Sequence, residues 1–132
     1  MKHLPDIQCK VIPHESHRYN TVGDYIESKY RGGIDRVNFK VSEMNADYEF
    51  LVLIHELIEY YLVKRKGIDL EAIDEFDMDF EKNRKKDDNS EAGENKLAPY
   101  RAEHLFATKV EHLLAEKLGV KWKDYDKYIL SL

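Results

Sequence analysis

Residues 51–63 read LVLIHELIEYYLV. Ten of the thirteen are apolar or aromatic, and the other three are His55, Glu56 and Glu59. The run starts after Asn45, a good N-cap, with Asp47 and Glu49 suited to the positive end of a helix. It ends in Lys64, Arg65 and Lys66, followed by Gly67, a good terminating residue. The stretch is therefore read as a long helix. On a wheel of about 100° per residue its apolar side chains fall on nearly every side, which predicts a helix buried nearly all round. His55, Glu56 and Glu59 share one wedge about 100° wide. Two carboxylates and an imidazole are costly to bury unless something pairs them, so the fold must bring a partner to that wedge.

Around this helix the rest of the chain takes shape. The first 44 residues are rich in strand and turn signals. A strand lies in QCKVIPH (8–14), and Val37, Phe39 and Val41 alternate with Asn38, Lys40 and Ser42 at the period of a half-buried strand. Gly32-Gly33 reads as the turn of a hairpin joining roughly 24–30 to 34–42. Asp69 caps a second helix over about 70–85, with Ile73, Phe76 and Phe80 on its apolar stripe. The segment RKKDDNSEAGENK (84–96) has almost no apolar content and is expected to be a solvated, mobile loop, about 84–98. Pro99 opens a third helix, 99–118, which Gly119 ends. The tail VKWKDYDKYILSL makes a short final helix anchored by Trp122, Tyr125 and Ile129. The expected fold is a single α+β domain over 1–132: a small N-terminal antiparallel sheet, then three to four helices packed around a metal site.

Composition narrows the function classes. A chain of 132 residues suits one compact domain, and 42% hydrophobic content can build its core. The net charge is −5 with both signs spread along the chain, so no basic tract points to nucleic acid. The apolar run is too short for a membrane span of about 20 residues, and MKHLPDIQCKV lacks the apolar block of a signal peptide. Cys9 is the single cysteine, which excludes an intrachain disulfide and fits a reducing compartment. A cytoplasmic protein of a bacterium or a phage-infected host is expected.

His55 and Glu59 are one turn apart, so both side chains reach one point. Two such residues one turn apart hold the metal in HExxH helices, where the Glu beside the first acts as general base. Here the pattern is HExxE, with carboxylate oxygen as the second ligand. The third helix offers the remaining ligand. His104 and Glu111 are seven apart on one face, and Ala107, Thr108 and Ala115 beside them permit close approach of another helix. His55, Glu59 and His104 make a two-His, one-Glu set, with Glu111 as a further ligand or as an acceptor behind one. Zn²⁺ is the expected ion; Glu111 as a ligand would favour Mn²⁺, Fe²⁺ or Mg²⁺. Glu56 is the candidate catalytic base and Arg101 the candidate substrate-orienting cation. The packing alternative is a His55–Glu59 or Glu59–Arg101 network without a metal.

Several segments also carry a resemblance. Arg18-Tyr19-Asn20-Thr21-Val22-Gly23-Asp24-Tyr25, the HELIE helix, Phe76-Asp77 and Pro99 to His104 resemble those of small uncharacterised phage and prophage proteins, over most of the chain. The HELIE turn is also similar to zinc metallopeptidases with HExxH, over one helix turn and with Glu59 in place of the second His. Neither resemblance carries an activity across; the HExxE residues themselves point to a metal-dependent, zincin-like hydrolase, with a small-molecule or peptide substrate left open. A different likeness, to all-α nucleotide pyrophosphatases, rests on Glu56-Leu-Ile-Glu59 followed by Glu71-Ala-Ile-Asp74 and implies Mg²⁺ and a nucleotide. A third expectation is a non-catalytic phage-type protein that binds a host protein, its polar cluster serving structure alone.

Overall fold

The computed structural model describes residues 2–132. Three strands, β1 (Asp6–Ile12), β2 (Gly23–Tyr30) and β3 (Gly33–Ser42), precede four helices, α1 (Ala46–Lys66), α2 (Leu70–Lys82), α3 (Arg101–Leu118) and α4 (Trp122–Leu130). The α+β architecture is as expected. β2 and β3 form the antiparallel hairpin, with Tyr25 opposite Phe39. Its turn is Arg31-Gly32, one residue earlier than expected. Both residues have positive φ, 51° and 80°, which matches the twist of the flanking strands.

The sheet is mixed rather than antiparallel, because its order is β1-β3-β2 and β1 runs parallel to β3. The connection 13–22 explains this. It carries the chain across one end of β3, so β2 must run opposite to both β1 and β3. The alternation in β3 is real: Val37, Phe39 and Val41 are 0%, 0% and 1% exposed. β1 is an edge strand, with Ile7 and Val11 about half exposed.

α1 starts and stops where its caps require. The Asn45 side chain accepts from the Tyr48 amide at 2.9 Å, and Gly67 adopts the left-handed conformation, φ 77°. One side of α1 packs on the sheet, where Tyr60 meets Tyr25 and Phe39. A second side packs on α3, where Leu51 and Val52 meet Ala115. The third side is not covered: Phe50 and Tyr61 are each 43% exposed. α1 is thus not buried all round as its wheel predicts. Three strands and one helix are enough to cover only part of its circumference.

α2 ends at Lys82, short of 85, where the Asn83 side chain turns back to donate to the Asp79 carbonyl. Arg18 ties the 13–22 connection to α2, donating to Asp24 at 2.9 Å and to Asp74 at 3.1 Å. Among the described residues, no helix is long and apolar enough to cross a membrane.

Candidate metal centre

α1 and α3 run antiparallel. Lys66 at the end of α1 lies by Glu103 at the start of α3, while Leu51 lies by Ala115. Ala107 and Ala115, 0% and 1% exposed, keep α3 thin where it faces α1. The helices come close enough for the polar wedge of α1 to meet His104 and Glu111. His55, Glu59, His104 and Glu111 are all buried, between 4% and 7% exposed.

Three atoms converge. His55 Nε2 is 3.1 Å from Glu59 Oε2, His104 Nδ1 is 2.9 Å from the same oxygen, and the two nitrogens are 3.2 Å apart. Zinc bonds of about 2.0–2.1 Å in a tetrahedral arrangement separate ligand atoms by about 3.3 Å. The triangle has nearly the dimensions of one face of such a tetrahedron.

The far side of each side chain meets another group. His55 Nδ1 donates to Glu111 Oε1 at 2.8 Å, and Tyr125 donates to the other oxygen of Glu111 at 2.6 Å. Tyr25 donates to Glu59 Oε1 at 2.9 Å. Glu91 Oε2 stands 2.6 Å from His104 Nε2. Metal-binding imidazoles commonly donate their remaining N–H to a carboxylate, which fixes the ring and raises its basicity. Glu111 accordingly lies behind His55, outside the converging triad, rather than among the ligand atoms.

The cluster also holds protons tightly. Burial pulls the His104 imidazole down, but Glu59 and Glu91 outweigh it and raise it to about 10. His55 behaves alike: burial opposes, while Glu111 and Glu59 raise it well above its usual value. For Glu59, burial is outweighed by the hydrogen bonds from His104 and His55, which hold it down at about 2.

Glu56 makes no hydrogen bond among the described residues. Burial first, then the charge of Glu59, push its carboxyl well above the usual range. It lines a 280 Å³ cavity that reaches His55, Glu59 and His104. Gly23 lies against it so closely that a Cβ there would stand 2.6 Å from Glu56 Oε1 and 2.7 Å from Val52 Cγ1. Gly23 thus lets the start of β2 close the cavity without displacing the carboxylate.

The substrate-orienting expectation for Arg101 changes here. Arg101 is exposed and donates to the Glu94 carbonyl at 3.0 Å, and it is not among the residues lining the cavity. It sits in the first turn of α3, where the preceding loop captures it. The arginine that does line the cavity is Arg84, held by Glu81 at 2.7 and 2.9 Å. The loop 84–98 is largely exposed to solvent, as expected, but its segment 88–94 also lines the site. Its 3-10 turn, Ala92–Glu94, places buried Gly93 flat on the His104 ring, where a Cβ would meet Cγ at 2.3 Å. The carboxylates of the pyrophosphatase pattern are dispersed: Glu71 is exposed away from the cavity and Asp74 is engaged by Arg18.

Several residues were not assigned to the site from the sequence. Tyr25, Tyr125, Glu91 and Gly93 belong here, as does Asp77, which accepts from Tyr100 at 2.6 Å and from Tyr19 at 3.2 Å. A partial signal existed in Tyr19 to Tyr25, a polar and aromatic stretch that reads as neither a helix nor an alternating strand. Glu91 had none, being one acid among many in a charged loop. No protein family, curated protein or solved structure matches the chain.

Proposed function

We propose that the chain is a zinc-dependent hydrolase with His55 Nε2, Glu59 Oε2 and His104 Nδ1 as ligands and Glu56 as general base. The observation that carries this reading is the convergence of those three atoms, 2.9–3.2 Å apart, beside a cavity-facing carboxylate that has no hydrogen-bond partner among the described residues. Two imidazole nitrogens and one carboxylate oxygen suit zinc. With Glu111 behind His55 rather than in the triad, the carboxylate-rich set that would favour Mn²⁺, Fe²⁺ or Mg²⁺ is not assembled.

Bound zinc would supply a Lewis acid and lower the pKa of a coordinated water to about 7. This chain's residues do the rest. Glu56, adjacent to His55 and turned into the cavity, accepts the proton of the attacking water and returns it to the leaving group. Glu111 and Tyr25 hold His55 and Glu59 in place while charge shifts.

Among the charged residues that line the cavity carboxylates predominate, Glu91 and Glu94 among them, and Arg84 is already neutralised by Glu81. That lining favours a neutral or cationic amide or ester over a phosphoester, whose negative charge it would repel. A magnesium-dependent pyrophosphatase finds less support, because Glu71 lies away from the cavity and Asp74, which lines it, is engaged by Arg18.

The test is zinc content and turnover together. Wild type is expected to bind one zinc per chain and His55→Ala none. Glu56→Gln is expected to keep the ion while losing hydrolysis across a panel of amide and ester substrates. A wild-type protein that binds no zinc would sink the reading, and a fully active Glu56→Gln would remove the base from it.

A further inference from the structure

The side of α1 that faces neither the sheet nor α3 presents, at helical spacing, Asp47, Phe50, Ile54, Ile58, Leu62 and Arg65. Phe50 is 43% exposed, the next three are half-buried, and both charged residues are exposed. Beside it α3 turns out Phe106 and Leu113, 52% and 63% exposed. The opposite side of the α1–α3 pair is the one that α4 and the 3-10 turn cover, where Tyr125 meets Val52 and Gly93 meets His104. Two adjacent helices thus share an open apolar face, the kind of surface that marks an interaction site.

The stripe on α1 is its own complement when reversed. Asp47 and Arg65, Phe50 and Leu62, and Ile54 and Ile58 lie nine, six and two residues on either side of position 56. Turned end for end, apolar residues meet apolar ones and the acid meets the base. Lys64 and Lys66 pair within the chain, with Glu27 and Glu103. Arg65 between them makes no ion pair among the described residues, and neither does Asp47.

We propose that this face joins two copies of the chain about a two-fold axis at the level of residue 56. Each α1 runs antiparallel to its mate, with Ile54 on the partner's Ile58, Phe50 on the partner's Leu62 and Asp47 by the partner's Arg65. A two-fold contact uses one patch twice, so it requires this self-complementarity; a partner of another kind does not. At a crossing angle of about 20° the two axes diverge by only about 5 Å nine residues from the centre, within reach of an arginine side chain. The face is about 30 Å long and two helices wide, the scale of the roughly 800 Å² that each partner gives to a standard interface.

The experiment is sedimentation equilibrium on the full-length protein from about 1 μM to about 1 mM. The wild type is expected to reach twice the chain mass within that range. Ile54→Glu, which places two charges at the centre of the contact, should leave monomer with an unchanged helical circular dichroism spectrum. Asp47→Arg and Arg65→Asp should each weaken the dimer by about three- to tenfold, because each sets two like-charged pairs face to face. An equal mixture of these two variants should dimerise as the wild type does, since every acid again faces a base. These exposed charge variants decide the matter if Ile54→Glu does not fold. A wild type that stays monomeric throughout, its face left to a different protein, would overturn the proposal. So would a dimer that Ile54→Glu leaves intact, or single charge variants that mixing does not restore.

Discussion

His55 Nδ1 donates to Glu111 Oε1 across the α1–α3 interface at 2.8 Å, which turns Nε2 toward Glu59 and His104. The bond decides which nitrogen of the ring is available to an ion. It also makes Glu111, two turns from His104, a partner of the opposite helix rather than a ligand.

Glu111→Gln should therefore weaken zinc binding without abolishing it. The amide still accepts from Nδ1 but no longer raises the basicity of the ring. Loss of such a partner costs about 10- to 100-fold in affinity. Chelator competition at fixed pH measures it. An unchanged affinity would mean that Glu111 does not tune His55, and a complete loss would mean that it is itself a ligand.

The metal's effect on stability should grow with pH. His104 is raised to about 10 in the metal-free fold, so its contribution is fully present below the unfolded value near 6.5. It is lost as pH rises through 10. Zinc needs the ring neutral, so protons compete with it across the same window. The gap in melting temperature between zinc-loaded and chelator-treated protein should widen from pH 6 to pH 9. A gap that is constant or narrows would contradict the assignment of His104 as a ligand.

Asp77 makes a separate contribution, opposite in sign to that of Glu59, whose carboxyl is held low. Burial, with the charge of Glu59 also acting upward against the hydrogen bonds from Tyr100 and Tyr19, lifts its carboxyl to about 7. The folded state then keeps a proton that the unfolded chain has lost between about pH 4 and pH 7, so stability falls as pH rises through that window. Urea titrations at pH 5 and pH 7.5 should show a smaller loss for Asp77→Asn than for wild type. Equal losses would mean that Asp77 is ionised throughout.

Gly93→Ala should disturb the site from the loop side. A Cβ at 2.3 Å from His104 Cγ cannot be accommodated without moving the ring or the 3-10 turn. A cost of about 1–3 kcal/mol is expected, as for other overpacked positions, with weaker zinc binding. Leu97→Ala, in the same loop but 81% exposed, should change neither. If Gly93→Ala binds zinc like the wild type, the loop does not position His104.

Much of the helical framework was legible locally. Asn45, Gly67, Asp69 and Gly119 stop or start helices at the expected places, because capping satisfies backbone groups within one turn of the chain. The alternation of Val37, Phe39 and Val41 revealed the buried face of β3 for the same reason, a period fixed by strand geometry. The direction of β1 was not legible, because it depends on where the 13–22 connection lands.

For the site, the sequence by itself determined that His55, Glu56 and Glu59 share one wedge of α1, and that His104 and Glu111 share one face of α3. Helix periodicity alone dictates both. Only the tertiary structure decided that His104 joins the triad while Glu111 stands behind His55, that Arg101 turns away, and that Glu91 and Gly93 arrive from a loop with no apolar signal. Those outcomes depend on the offset between two antiparallel helices and the path of a connection across them. A shift of one turn, about 5.4 Å, would exchange the residues that meet.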